Sequence, residues 1–109
     1  MTNYLISFPS ATMRLSPGDV DHVVESSHQV IRDAKAAGLY VFSGGLNCEV
    51  VPVAVHEDGS KSKPTSALDG GFCILELTSR LDAEQWAARM ARGCRTPQEL
   101  REFHDDPES

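Results

Sequence analysis

The chain has no long hydrophobic run. None of its apolar stretches approaches the roughly 18 residues that a membrane-spanning helix requires, so a membrane location is not expected. Its first residues, MTNYLISFPS, lack the basic start and long apolar segment of a secretory signal. Positive charge is also scarce: 10 Lys and Arg stand against 16 Asp and Glu, a net charge of −6. Lys61 and Lys63 are the only close lysine pair. Binding nucleic acid requires clustered cations that displace counterions from phosphate, so that class is set aside. Cysteine is sparse and unpaired in pattern. Cys48, Cys73 and Cys94 are an odd number with no CxxC spacing. A secreted domain this small usually pairs its thiols, so a reducing cytoplasm is expected. Two catalytic signatures are missing as well, the G-x-S-x-G of a nucleophile elbow and the spacing of a phosphate-binding loop.

The chain's 109 residues suffice for one modest core and not for two. We expect one domain over residues 1–104 and an acidic, solvated tail over 105–109.

The residues in between alternate two periodicities. NYLISF, residues 3–8, places Tyr4, Ile6 and Phe8 on one side of a strand. Ser16 and Pro17 are an N-cap and a first helical residue, with Asp19 at the positive end of the dipole and Leu15 and Val20 spaced as a staple. The helix should run to Ala37 and stop at Gly38. Its apolar stripe reads Val20, Val24, Ile31, Ala34. LYVFSGGL is a second strand, broken by Gly44 and Gly45. EVVPVAVHEDGS is a third, with Val51, Val53 and Val55 on one face, an edge or bulge at Pro52, and a hairpin turn at Asp58-Gly59. A short irregular strand and a polar loop return from it. GFCILEL, residues 71–77, is apolar on both sides, as a central strand is. A second helix is expected with Asp82 as cap, Leu81 and Trp86 as staple, an apolar face of Ala83, Trp86, Ala87, Met90 and Ala91, and an end at Gly93. TPQELREF fits either a helix opened by Thr96 and Pro97 or a strand with Glu99, Arg101 and Phe103 on one face.

Strand, helix, strand, hairpin, strand, helix, strand is an α+β order, the ferredoxin-like split βαβ plan with an added hairpin and an antiparallel sheet. Right-handed crossovers put both helices on one face of that sheet. The opposite face, apolar at the strand centres, is then open, and a second copy packed sheet on sheet would cover it.

SSHQVIRDAKAAGLYVFSGGL, VAVHEDGS, GGFCILEL followed by LDAEQWAARMA, and ELREF together resemble the YCII-related proteins, more narrowly their DGPF-type branch. The resemblance spans nearly the whole chain and rests on order and spacing. It implies a dimeric α+β barrel and makes residues 98–103 the last strand. The chain departs from the branch in one place: KPTSALDGGF stands where the Asp-Gly-Pro-Phe loop belongs.

The resemblance also implies a role for His28, as one half of an acid–base pair with an acidic partner. Imidazole titrates near neutral pH, and a carboxylate can orient it. By helical projection His28 lies between the apolar stripe and a charged edge of Asp21, Arg32 and Lys35. The plainer alternative is a partly exposed histidine bonded to a neighbour. Asp69 is the candidate partner, since it precedes Gly70 and Gly71, where backbone can approach a ligand; the alternative is a simple turn. Ser43, Gly44, Gly45 and Gly70 are candidate ligand contacts, or glycines that merely ease a bend. No metal site is expected: His22 and His28 lie about 120° apart on a helix, and His56 with Asp58 supplies only two ligands. Each cysteine reads best as a small buried hydrophobe. Two functions follow as expectations. One is a small enzyme without a cofactor, acting on a small-molecule ligand through His28 and Asp69. The other is a non-catalytic ligand-binding or regulatory accessory protein with a protein partner, as the neighbourhood of DGPF-type genes to sigma-factor genes implies.

Overall fold

The computed structural model describes residues 1–109. Strand β1, Thr2–Phe8, is central. It alternates as its sequence does, with Tyr4 and Ile6 buried. Strand β2 is Tyr40–Gly45, β3 Ala54–Val55, β4 Lys61–Ser62, β5 Gly71–Leu77 and β6 Glu99–Glu102; helix α1 is Val20–Ala36 and α2 Arg80–Cys94. Four strands form one antiparallel sheet in the order β2-β5-β1-β6. Each helix therefore joins two parallel strands with a third lying between them, an arrangement compatible with a ferredoxin-like fold. The short final segment is a strand because β1 offers it a free edge, pairing Ile6 with Leu100 and Tyr4 with Glu102.

The register sorts the side chains by face. Tyr4 lies opposite Leu75, and Ile6 opposite Cys73 and Leu100. These point to the helices, where they join Val30, Ala34, Ala83, Ala87, Met90 and Cys94 in the core. Leu5 lies opposite Ile74, which also pairs with Phe42, so these three point the other way. On that face Phe42 is exposed, and Leu5 and Ile74 are partly buried.

Several local expectations shift. The buried face of α1 is Val23, Val30 and Ala34, while Val20 and Val24 stay nearly half exposed and Ile31 is partly buried. The helix is turned because α2 presses on its Val23 side. There Ser26 Oγ donates to the Gly93 carbonyl at 2.6 Å. Gly93 does not end α2. A Cβ there would stand 3.1 Å from the Ser26 carbonyl oxygen, so the glycine serves the close approach of the two helices. The turn that ends α2 falls on Arg95, at φ 55°, with the Thr96 amide returning to the Ala91 carbonyl. At the other end of α2 the cap is Ser79, not Asp82. Its Oγ accepts from the Asp82 amide at 3.1 Å, and the Asp82 carboxylate accepts from Thr78 at 2.6 Å. Leu81 is 63% exposed and staples nothing. At the start of α1, Ser16 donates to the Asp19 carboxylate at 2.7 Å across a 3-10 turn, Pro17–Asp19. Asp19 also meets Arg95 at 3.3 Å, joining the start of one helix to the end of the other.

The expected third strand is reduced to two residues, with Pro52 outside it. The Asp58-Gly59 turn forms: Gly59 takes φ 86°, and Asp58 accepts from the Ser60 amide at 2.9 Å. This hairpin touches little beyond itself. It stands off the body, which raises the radius of gyration to 15.6 Å where a chain of this length packed as a globule has about 13 Å. Val50, Val51, Val53 and Val55 along it are all exposed.

Candidate functional site

A cleft of about 280 Å³ opens between α1, α2 and the helix-facing side of the sheet. The rotation of α1 creates its rim. Val24, His28 and Ile31 follow one another at helical spacing along one edge of α1, and all three line the cleft together with Val23 and Ser27. His28 itself is exposed. The facing rim is β2, which contributes Ser43, Gly44 and Gly45. Ser43 shares a hydrogen bond of 3.0 Å with the Tyr40 hydroxyl. Gly44 lies against the Phe42 ring, which a Cβ would meet at 3.5 Å. The floor carries Met13, Cys73, Met90 and Cys94, and Gln98 closes one end.

Three of the sequence candidates thus share one cleft with His28. Asp69 and Gly70 lie elsewhere. The Asp69 carboxylate accepts from the Ser10 amide at 3.1 Å and from the Ser10 hydroxyl, and these bonds hold it below the usual carboxylate range. It borders a separate hollow of about 310 Å³ with Leu5, Ser7, Glu99 and Arg101, residues of the open sheet face. Phe8 and Phe72 border both spaces. Gly70, at φ 90°, is required by backbone: a Cβ would fall 1.9 Å from the Phe8 carbonyl oxygen. Its own carbonyl accepts from the Leu46 amide at 2.9 Å, which ties the ends of β2 and β5 together. Asp69 and Gly70 therefore build the turn whose far side presents Gly45 and Gly71. None of the five ion pairs involves a histidine.

The sulfur-rich floor is a feature that sequence reasoning misses. Met90 reads as core by spacing, and it is buried. Nothing in its sequence neighbourhood signals that it meets Met13 and two thiols around one space. Cys73 and Cys94 are buried as small hydrophobes, and burial pushes the Cys73 thiol up to about 11 and raises that of Cys94. Cys48 differs from its expectation and is exposed, since its loop leads into the projecting hairpin. His56, Glu57, Asp58 and Ser60 form a shallow polar hollow on that hairpin, where His56 bonds Ser62 at 2.8 Å. No group of three or more His, Cys, Asp or Glu side chains is placed to hold a metal ion, and no helix is long and apolar enough to cross a membrane.

Compared with models of known protein families and with curated proteins, the chain matches none.

Proposed function

We propose that this chain is a small-molecule-binding protein of the YCII-like kind, with its ligand in the α1–β2 cleft and His28 as the acid–base group of a cofactor-independent reaction. One observation carries the reading: His28 borders the same cleft as Ser43, Gly44 and Gly45. A titratable side chain at the mouth of a largely apolar space is what proton transfer to a bound molecule needs. In this reading Asp69 acts indirectly, holding the turn behind the glycines through Ser10. Ligand screening followed by amide-resolved NMR tests it. Ligands should perturb Ser27, His28, Gly44 and Gly45, and His28→Ala should abolish turnover while leaving the unfolding midpoint unchanged. Ligands that perturb only the hairpin or the open face would defeat it.

The protein works in the cytoplasm as a homodimer in this proposal. Leu5, Phe42 and Ile74 on the open face support a sheet-on-sheet dimer, the barrel arrangement of the resembling family. Burying Phe42, the exposed one of the three, is worth at most about 1.5–3 kcal/mol.

A second reading, an accessory protein that binds another protein, has its own support in Val50, Val51, Val53 and Val55 exposed along the projecting hairpin. The histidine variant separates the two. Partner binding that survives His28→Ala without any associated turnover favours the second.

A further inference from the structure

Resting on the cleft reading above, we infer that the cleft takes a small carboxylic acid with an apolar body, its acidic head against His28 and its body on the sulfur-lined floor.

The volume sets the size. About 280 Å³ is the space of roughly nine waters at ~30 Å³ each, which fits a ligand of about ten non-hydrogen atoms. The lining sets the chemistry, and it falls into two zones. The floor of Ile6, Met13, Cys73, Met90 and Cys94 is apolar and polarizable, suited to a hydrocarbon or ring that gains contacts with sulfur. The rim of Ser27, His28, Ser43 and Gln98 carries the hydrogen-bonding groups.

No Lys, Arg, Asp or Glu lines the cleft. Its two thiols are protonated at neutral pH, with Cys73 pushed up to about 11 and Cys94 raised. His28 is therefore the one basic side chain that lines the cleft. The charged groups next along α1, Glu25 and Arg32, are occupied with each other at 2.5 Å. Toward the cleft, α2 brings the Cys94 thiol, β5 the Cys73 thiol and β2 only a hydroxyl and glycines, and in the turn before α1 Asp19 is paired with Arg95.

That inventory discriminates among ligand heads. A phosphate or diphosphate calls for several cations or a bidentate guanidinium, and the cleft has neither. An ammonium would find no carboxylate to hold it. A pure hydrocarbon would cover the rim's polar atoms without replacing their water. A monoanionic carboxylate pairs with one imidazolium, accepts the Gln98 amide hydrogen that the Thr96 carbonyl leaves over, and accepts from Ser43 when Tyr40 donates to that hydroxyl; the Ser27 hydroxyl is engaged with the Val24 carbonyl. The pairing favours protonated His28. Binding is then stronger in mild acid, where the ligand is still a carboxylate, than in alkaline solution.

The test titrates the full chain with phenylacetate, 2-phenylethanol, phenethylamine and phenyl phosphate, reading affinity by calorimetry and location by amide NMR at about pH 5.5 and about pH 8.5. Phenylacetate should bind at least ~10-fold tighter than the other three in acid and lose about that factor at the higher pH, a loss that His28→Gln removes. Circular dichroism confirms that the variant is folded. If the alcohol or the amine binds as tightly as the acid while shifting Gly44 and Gly45, the acid class is wrong and the cleft stands. A pH response that persists in the variant also overturns the acid class and leaves the cleft in place. If no probe shifts a cleft residue, the inference and the cleft reading fall together.

Discussion

Ser10 holds Asp69 with both its amide and its hydroxyl, joining the turn after β1 to the turn before β5. The consequence is a division of labour. Asp69, which resembles a histidine's partner in sequence, secures the backbone on which the cleft's glycines sit. His28 faces that cleft from the opposite rim. The Ser10 bonds lower the Asp69 pKa. A group whose pKa is depressed by folding contributes stability above its unfolded value, about 3.9, and loses that contribution as pH falls through the folded pKa. Asp69→Asn should therefore be less stable than the parent near pH 7, by an amount that vanishes in strong acid. Urea midpoints across the acid range measure it, and a gap independent of pH would contradict this role for Asp69.

Gly70 and Gly59 both have positive φ, 90° and 86°, but only the first is enclosed. Gly59→Ala meets open space and should cost about 1–2 kcal/mol from backbone conformation alone. Gly70→Ala adds a collision with the Phe8 carbonyl and should cost more than ~4 kcal/mol or prevent folding. Equal losses for the two in denaturant titrations would mean that the turn before β5 yields to the added methyl group.

The three cysteines should separate by reactivity. Cys48 is exposed, whereas Cys73 and Cys94 are buried and held as thiols by burial. Iodoacetamide at about pH 8 should modify exposed Cys48 quickly, and the other two only in denaturant. Peptide mass spectrometry assigns the sites. Rapid modification of Cys73 in the folded protein would be the contrary result.

The proposed dimer predicts its own disruption. Phe42, 58% exposed on the open face, is an edge-strand aromatic. Phe42→Glu should shift sedimentation toward monomer, by an amount corresponding to about 2–4 kcal/mol of lost association, and leave the far-ultraviolet circular dichroism unchanged. A wild-type chain that sediments as a monomer at micromolar concentration would remove the dimer from the proposal.

The elements and their order follow from local properties that sequence carries directly: the alternation in residues 3–8 and 71–77, the turn at Asp58-Gly59, the stop at Gly38, which takes φ 75°. Each depends on neighbours within a few positions, so it is readable without the fold. Which side of a helix turns inward is a different kind of fact. Val20 and Val24 compete with Val23 and Val30 for the core, and a stripe that wide on α1 leaves the angle free by a fraction of a turn; the contact of Ser26 with Gly93 chooses it. The same contact converts Gly93 from an expected stop into a packing residue and leaves the ending to Arg95. TPQELREF could be either helix or strand until β1 supplied an edge to pair with. The site divides along the same line. Residue types and spacing single out His28, Ser43, Gly44 and Gly45. Only packing brings them around one space, lines its floor with four sulfurs, and sends Asp69 to Ser10, because those relations join segments far apart in the chain.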